Sequence, residues 1–262
     1  MKIYIMTDLE GVGGVVKQDL QTVSINPEYY RACEYLVEEV NAAVAGAFDA
    51  GATEVMVSDS HWQGFNIRMD LLDSRAACVT GSGRPSWMVG LEGFDAVVCI
   101  GLHAMSGTEG AVLDHTWDPD GWNNLWINGK LSGEFGLIAY MAGHYNIPVI
   151  FASGDDKLCL EAKTLVNSIT VVETKKGLCR ESAICYPLKQ VRLKIKEGVF
   201  NALKNIKNVK TLKLESPVEM IVEYKNTRIV DGIKIINGRK LLNSKKIEYK
   251  GKDVTECFNL LF

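Results

Sequence analysis

Lys2-Ile3-Tyr4-Ile5-Met6-Thr7-Asp8-Leu9-Glu10-Gly11-Val12-Gly13-Gly14 is a short apolar run that breaks into acid and glycine. The run predicts a buried strand, and the glycines behind it predict a tight loop at its carboxyl end. Later stretches repeat the pattern. Thr53-Glu54-Val55-Met56-Val57-Ser58 runs into Asp59-Ser60-His61, residues 95–101 run into Leu102-His103, and residues 148–153 run towards Asp155-Asp156. Helical patterns lie between them. Asn26-Pro27 supplies an N-cap and a first-turn proline, and Tyr30, Cys33, Leu36, Val37, Val40, Ala43, Val44, Ala47 and Phe48 keep helical spacing up to Gly51. Leu125-Trp126-Ile127 followed by Asn128-Gly129 predicts a strand entering a tight turn, with a helix over 134–145. Asp155 or Asp156 caps the helix after the 148–153 strand. Strand–helix alternation of this kind predicts a three-layer α/β domain with a mostly parallel sheet.

Around residues 170–185 the chain becomes lysine-rich and weakly patterned. Pro187 opens an amphipathic helix to about residue 205. A strand at 218–224, a helix at 228–236, a strand at 246–249 and a helix at 254–261 complete a smaller C-terminal α+β domain. The expected division is 1–182 and 183–262.

Composition narrows the function classes. The chain has 262 residues and no apolar run near the ~20 residues of a membrane span. An acid arrives too early at the N-terminus for a secretory signal, so the expectation is an intracellular, cytoplasmic protein. Seven cysteines without a C-x-x-C pair read as reduced thiols. The net charge of −3 conceals an asymmetry: residues 1–162 carry −14 and residues 163–262 carry +11. All four histidines lie in the acidic part, which suits hard and borderline cations. The lysines of the basic part spread over helical faces with few aromatics between them, so a solvated surface is expected there, with no nucleic-acid or membrane partner.

The strand ends carry the chemistry. Asp8 and Glu10, then His61, then His103 follow three successive strands, and Glu134 opens a helix. In an open parallel sheet the carboxyl ends of the strands share one edge, where ligands bind. Each residue alone is explained by a cap, a solvated loop or a hydrogen-bonded core histidine. Three carboxylates and two imidazoles together repel unless a cation neutralises them, and mixed Asp/Glu/His ligation favours zinc or a similar first-row ion. Five ligands exceed the need of one open zinc, so two ions sharing a bridging carboxylate are expected. Asp8 is the candidate bridge, because Leu9 turns away and leaves Asp8 and Glu10 on one side of the extended chain. His144 reads as a helix C-terminus residue.

Thr7-Asp8-Leu9-Glu10-Gly11-Val12-Gly13-Gly14, Ser58-Asp59-Ser60-His61, Gly101-Leu102-His103-Ala104, Asp114-His115-Thr116, Gly133-Glu134-Phe135-Gly136 and Ser153-Gly154-Asp155-Asp156, in this order, resemble the zinc D-aminopeptidases of the DppA type, peptidase family M55. The resemblance spans nearly the whole chain. It implies one zinc on Asp8, Glu10 and His61, a second on Asp8, His103 and Glu134, and a catalytic His115. It further implies short peptide substrates with a free N-terminus, a D-residue at that end, and a ring-like homo-oligomer such as a decamer. Asp114 stands where the family pattern leads one to expect serine or a similar small residue, and the loop Trp117-Asp118-Pro119-Asp120-Gly121-Trp122 departs from it. Two other classes compete on the same residues. A two-metal phosphoesterase would use such ligands, but no G-x-x-x-x-G-K-[ST] loop occurs. A dipeptide-binding protein would bind without turnover.

Overall fold

The computed structural model describes residues 1–23 and 26–262. The opening run forms β1 (Lys2–Thr7), with Ile3, Tyr4, Ile5 and Met6 fully buried. A one-turn helix α1 (Gln18–Gln21) precedes α2 (Pro27–Asp49), which Asn26 caps by accepting from the Glu28 and Tyr29 N–H groups. The strands β2 (Glu54–Asp59), β3 (Ala76–Val79) and β4 (Ala96–Leu102) follow. β5 (Trp122–Ile127) and β6 (Lys130–Ser132) form a hairpin over Asn128-Gly129, and both turn residues hold the positive φ that a tight hairpin turn requires. Next come α3 (Glu134–His144), β7 (Val149–Asp155) and α4 (Asp156–Leu165), capped by Asp155. The chain continues through β8 (Thr170–Cys179), β9 (Ser182–Cys185) and α5 (Leu188–Lys204). It ends with β10 (Val218–Tyr224), α6 (Thr227–Asp231), β11 (Arg239–Asn243), β12 (Lys246–Gly251) and α7 (Val254–Asn259).

The first sheet has the order β3-β2-β1-β4-β7-β8-β9, parallel except at the β9 edge. β1 pairs with both β2 and β4, and the winding direction reverses between β1 and β4. Right-handed crossovers then place α2 on one face and α3 and α4 on the other. α5 packs beside α2 and against β7 and β8. Helices on both faces explain why β4 and β7 are buried at every residue. The second sheet is antiparallel, in the order β11-β12-β10-β5-β6. Its central strand β10 buries Val218, Met220, Val222 and Tyr224 in strict alternation and packs against α7.

The division expected at 182/183 falls within the β8–β9 hairpin. α5 lies beyond it yet packs on the first sheet, whereas β5 and β6 lie before it and pair into the second. The physical reason is that β5 has no partner in the parallel sheet and finds one in β10, with Met220 opposite Ile127. The helix expected at 228–236 is only the short α6, and Ile235 and Ile236 are half exposed beyond it.

The loop after β1 is clamped from beneath. Lys175 on β8 is completely buried, and its ammonium donates to the carbonyls of Glu10, Val12 (2.9 Å) and Val15. The hydroxyl of neighbouring Thr174 lies 2.6 Å from Gly11 O. From α2, buried Glu39 accepts the Gly13 N–H at 2.9 Å. Gly11 is needed for space, since a Cβ there would stand 1.9 Å from Leu102 O, and Gly14 is needed for its φ of +83°. Burial pulls the Lys175 ammonium down to about 8 and pushes the Glu39 carboxyl up to about 7.

Two outcomes follow from the clamp. Lys175→Met leaves the buried Glu10 and Val15 carbonyls without a donor, and Val12 O with only the Val15 N–H, and should destabilise the fold by about 3 kcal/mol or more, read as a lower urea midpoint. A wild-type midpoint would show that the loop does not depend on the ammonium. Glu39 binds its proton more tightly folded than unfolded, so its contribution falls as pH rises from about 4.5 through about 7. Glu39→Gln keeps an acceptor for Gly13. Its stability relative to wild type should therefore rise between pH 5 and pH 8, by roughly 1–3 kcal/mol; a pH-independent difference in unfolding free energy would contradict this.

Candidate metal centre

The reversal between β1 and β4 opens a crevice at the carboxyl edge of the sheet, where ligands bind in open α/β folds. Asp8 and Glu10 leave β1 on the crevice side while Leu9 between them is fully buried. His61 follows β2 by two residues, and His103 follows β4 directly. Glu134 is the first residue of α3, delivered by the β5–β6 hairpin, where a carboxylate complements the helix dipole. His115 comes from the long connection between β4 and β5. The structure thus brings together all six residues singled out in the sequence. His144, at the end of α3, is exposed and stacks edge-on with Tyr145.

Proton positions follow from the partners. His61 Nε2 lies 2.7 Å from the Thr22 carbonyl, which can only accept, so Nε2 carries a hydrogen. In the neutral ring Nδ1 then presents a lone pair to Asp8 Oδ1 at 3.0 Å and Glu10 Oε2 at 3.1 Å. His103 is arranged in mirror fashion. Its Nδ1 donates to Ala104 O at 3.0 Å, and its Nε2 faces Asp8 Oδ2 at 3.3 Å and Glu134 Oε1 at 3.4 Å. His115 donates from Nδ1 to Leu113 O at 2.9 Å, stacks on His103 with centroids 3.9 Å apart, and turns Nε2 towards Glu134 Oε1 at 3.8 Å.

Each oxygen of Asp8 therefore belongs to a different group of acceptors. Glu10 Oε2 and His103 Nε2 are buried without a hydrogen-bond partner among the described residues. Acceptors that converge in a buried site need a proton or a cation between them. Without a cation the rings take up protons. Burial opposes the imidazolium of His61 and of His103, but Glu10 and Asp8 outweigh it at His61, and Glu134 and Asp8 outweigh it at His103, so both rise well above the usual histidine range. Burial likewise opposes the Asp8 carboxylate, yet the two imidazoles hold it below the usual range, and His103 with His115 holds Glu134 at about 2. Atoms of Asp8, Glu10 and His103 fall within 4.8 Å of one another, as do atoms of His103, His115 and Glu134. Oxygen and imidazole donors with their other ring hydrogens already engaged fit divalent zinc.

The supporting residues were not legible as a set. Asp59 accepts from the Asn66 backbone, the Asn66 amide and Ile67, and Asn66 in turn donates to His61 O, which fixes the turn that carries the imidazole. Trp117 N–H donates to Glu134 Oε1 at 2.8 Å. Glu161 accepts from Met105 N–H behind His103, and burial pushes its carboxyl up to about 7. Asp155 caps α4 and also holds Val112 N–H. Only Asp59 and Asp155 carried a sequence signal, each lying at a strand end.

Above the cluster lies a cavity of about 410 Å³ beside a larger one of about 660 Å³, and the larger contains Asp8, Glu10, His61, His115 and Glu134. Among the described residues no lysine or arginine lines the larger cavity, and Asp19, Asp118 and Asp120 stand at its rim. No described helix is long and apolar enough to cross a membrane.

The sequence profile of the D-aminopeptidase family, peptidase family M55, matches residues 1–262. A D-aminopeptidase of Bacillus subtilis (strain 168) is 31% identical over 270 residues, covering 100% of this chain and 95% of the relative. The solved structure of the Zn-dependent D-aminopeptidase DppA from Bacillus subtilis, described as a self-compartmentalizing protease, superposes with a TM-score of 0.95 at 29% identity, covering 100% of this chain and 95% of that one. Fold and sequence agree over the full length, and the chain belongs to the M55 family of D-aminopeptidases.

Proposed function

We propose that this protein is a binuclear zinc aminopeptidase that removes N-terminal D-residues from short peptides in the cytoplasm. The observation that carries the reading is Asp8, whose two oxygens face two separate imidazole–carboxylate groups. Asp8, Glu10 and His61 would hold one zinc through His61 Nδ1; Asp8, His103 and Glu134 would hold the other through His103 Nε2. Zinc bound there supplies Lewis acidity and a water whose pKa drops from ~15.7 towards ~7. The chain does the rest. Thr22 O and Ala104 O fix the two imidazole tautomers, and the loop clamp sets the spacing of Asp8 and Glu10. The acidic rim draws in the free α-ammonium of a peptide. His115, whose Nδ1 hydrogen is engaged by Leu113 O, keeps Nε2 open to take up a proton; the Nε2–H so formed steadies a developing oxyanion or passes that proton to the leaving amine.

A phosphoesterase reading is disfavoured because, among the described residues, no lysine or arginine lines the larger cavity, and phosphate substrates call for such cations. The similarity to a self-compartmentalizing protease supports a closed homo-oligomer, with a decamer as the expected size. Sedimentation far above the 28.9 kDa of one chain is the expected result, and a monomer would refute it.

Matched D-alanyl and L-alanyl anilides test the central reading. Zinc-dependent cleavage of the D form alone is expected; cleavage of the L form alone, or of neither with metal bound, would overturn the D-aminopeptidase assignment. His115→Ala should lower turnover ~100-fold or more while zinc stoichiometry is unchanged. Full activity, or loss of zinc, would remove His115 from that role.

A further inference from the structure

Trp62 follows His61 directly and stands with φ at +48°, and Trp117 lies two residues past His115 with φ at +67°. Aromatic residues rarely adopt this backbone, and where they do the local strain commonly serves a site. Trp62 is 54% exposed and, among the described residues, its ring meets no other aromatic ring. Trp117 is the hub of an aromatic group, with Trp87 at 5.1 Å, Phe258 at 5.2 Å and Phe262 at 5.1 Å between ring centroids. These rings wall the smaller cavity of about 410 Å³, which shares Ser60, Trp62, Trp87 and Trp117 with the larger one over the metal ligands. Its volume lies in the range of about 300–1,000 Å³ typical of small-molecule sites.

Charge distinguishes the two ends of this continuous cleft. The larger cavity is lined by six carboxylates and, among the described residues, no lysine or arginine, whereas the smaller contains Arg84. Among the described residues, the half-buried guanidinium donates only to uncharged oxygens: Gly81 O, Ser58 Oγ and the Asp59 backbone carbonyl. The Asp59 carboxylate is taken up by Asn66 and Ile67, and no described carboxylate forms an ion pair with Arg84. A cleft with carboxylates at the metal ligands, an aromatic wall and a cation free of any described carboxylate beside that wall matches a zwitterion of two residues.

We propose that the smaller cavity is the subsite for the residue on the carboxyl side of the scissile bond. It takes an aromatic or large aliphatic side chain between Trp62 and the Trp87–Trp117 group, with the peptide's terminal carboxylate on Arg84. The preferred substrates are then free-acid dipeptides with a bulky apolar second residue. This inference rests on the aminopeptidase reading for its orientation.

The test uses the zinc-loaded protein and the reduced-amide analogue of D-alanyl-D-phenylalanine, whose CH2–NH link cannot be hydrolysed, as free acid and as primary amide. Calorimetry should show the acid binding ~10-fold more tightly than the amide. Arg84→Gln should bring the acid to the amide's affinity. Trp62→Ala should weaken the phenylalanine analogue by about 5–10-fold and the glycine analogue far less. Because Arg84 also braces the backbone at Asp59, the acid–amide comparison in the unaltered protein decides the matter by itself. Equal affinities there would overturn the proposal. A patch that serves only as a contact between copies would give equal affinities and a changed sedimentation coefficient for Trp62→Ala. Cleavage of D-alanylglycine is measured alongside. Cleavage with no acid preference removes the subsite and leaves the peptidase; an acid preference without any cleavage keeps the subsite and removes the peptidase.

Discussion

Asp8 sits in a place where a lone carboxylate would be poorly placed. Both of its oxygens face imidazole nitrogens whose opposite ring positions are already committed to backbone carbonyls, and a further carboxylate faces each of the same two nitrogens. Lone pairs directed at one another in a buried crevice are tolerable only with positive charge among them. Much of the surrounding architecture serves that constraint: the strand reversal that brings β1 and β4 side by side, the bare backbone at Gly11 that lets the loop touch Leu102, and a helix start that presents Glu134.

The second requirement is rigidity. A divalent ion held here would tolerate little error in donor spacing, and two of the candidate donors lie on an irregular loop. Lys175 and Glu39 hold that loop from two different layers, one through its carbonyls and one through an N–H. Both groups are fully desolvated, which is costly unless every bond they make is needed.

Much of this was legible in the residues. The alternation of apolar runs with helical spacing located β1, β2, β4, β7 and α2 because those elements follow simple apolar periodicity. β8 was not legible, since its inward positions include Thr174 and Lys175 and so show no apolar alternation. The buried lysine that hid the strand is the one that braces the loop carrying Asp8 and Glu10. β3, β9 and β11 are short edge elements with little burial to leave a pattern. The ligand candidates could be read because four lie within three residues of a strand's carboxyl end and Glu134 opens a helix. The aromatic wall could not, since Trp62, Trp87, Trp117 and Phe258 lie far apart in sequence and meet only through the fold.

The placement of Glu134 has a mechanical consequence. It follows the last strand of the antiparallel sheet by two residues, while Asp8, Glu10, His61 and His103 all hang from the parallel sheet. Ions held by both sets would act as a rivet between the two layers. Loading the site would then link their unfolding into one cooperative event, and stripping it would let the smaller layer loosen before the larger.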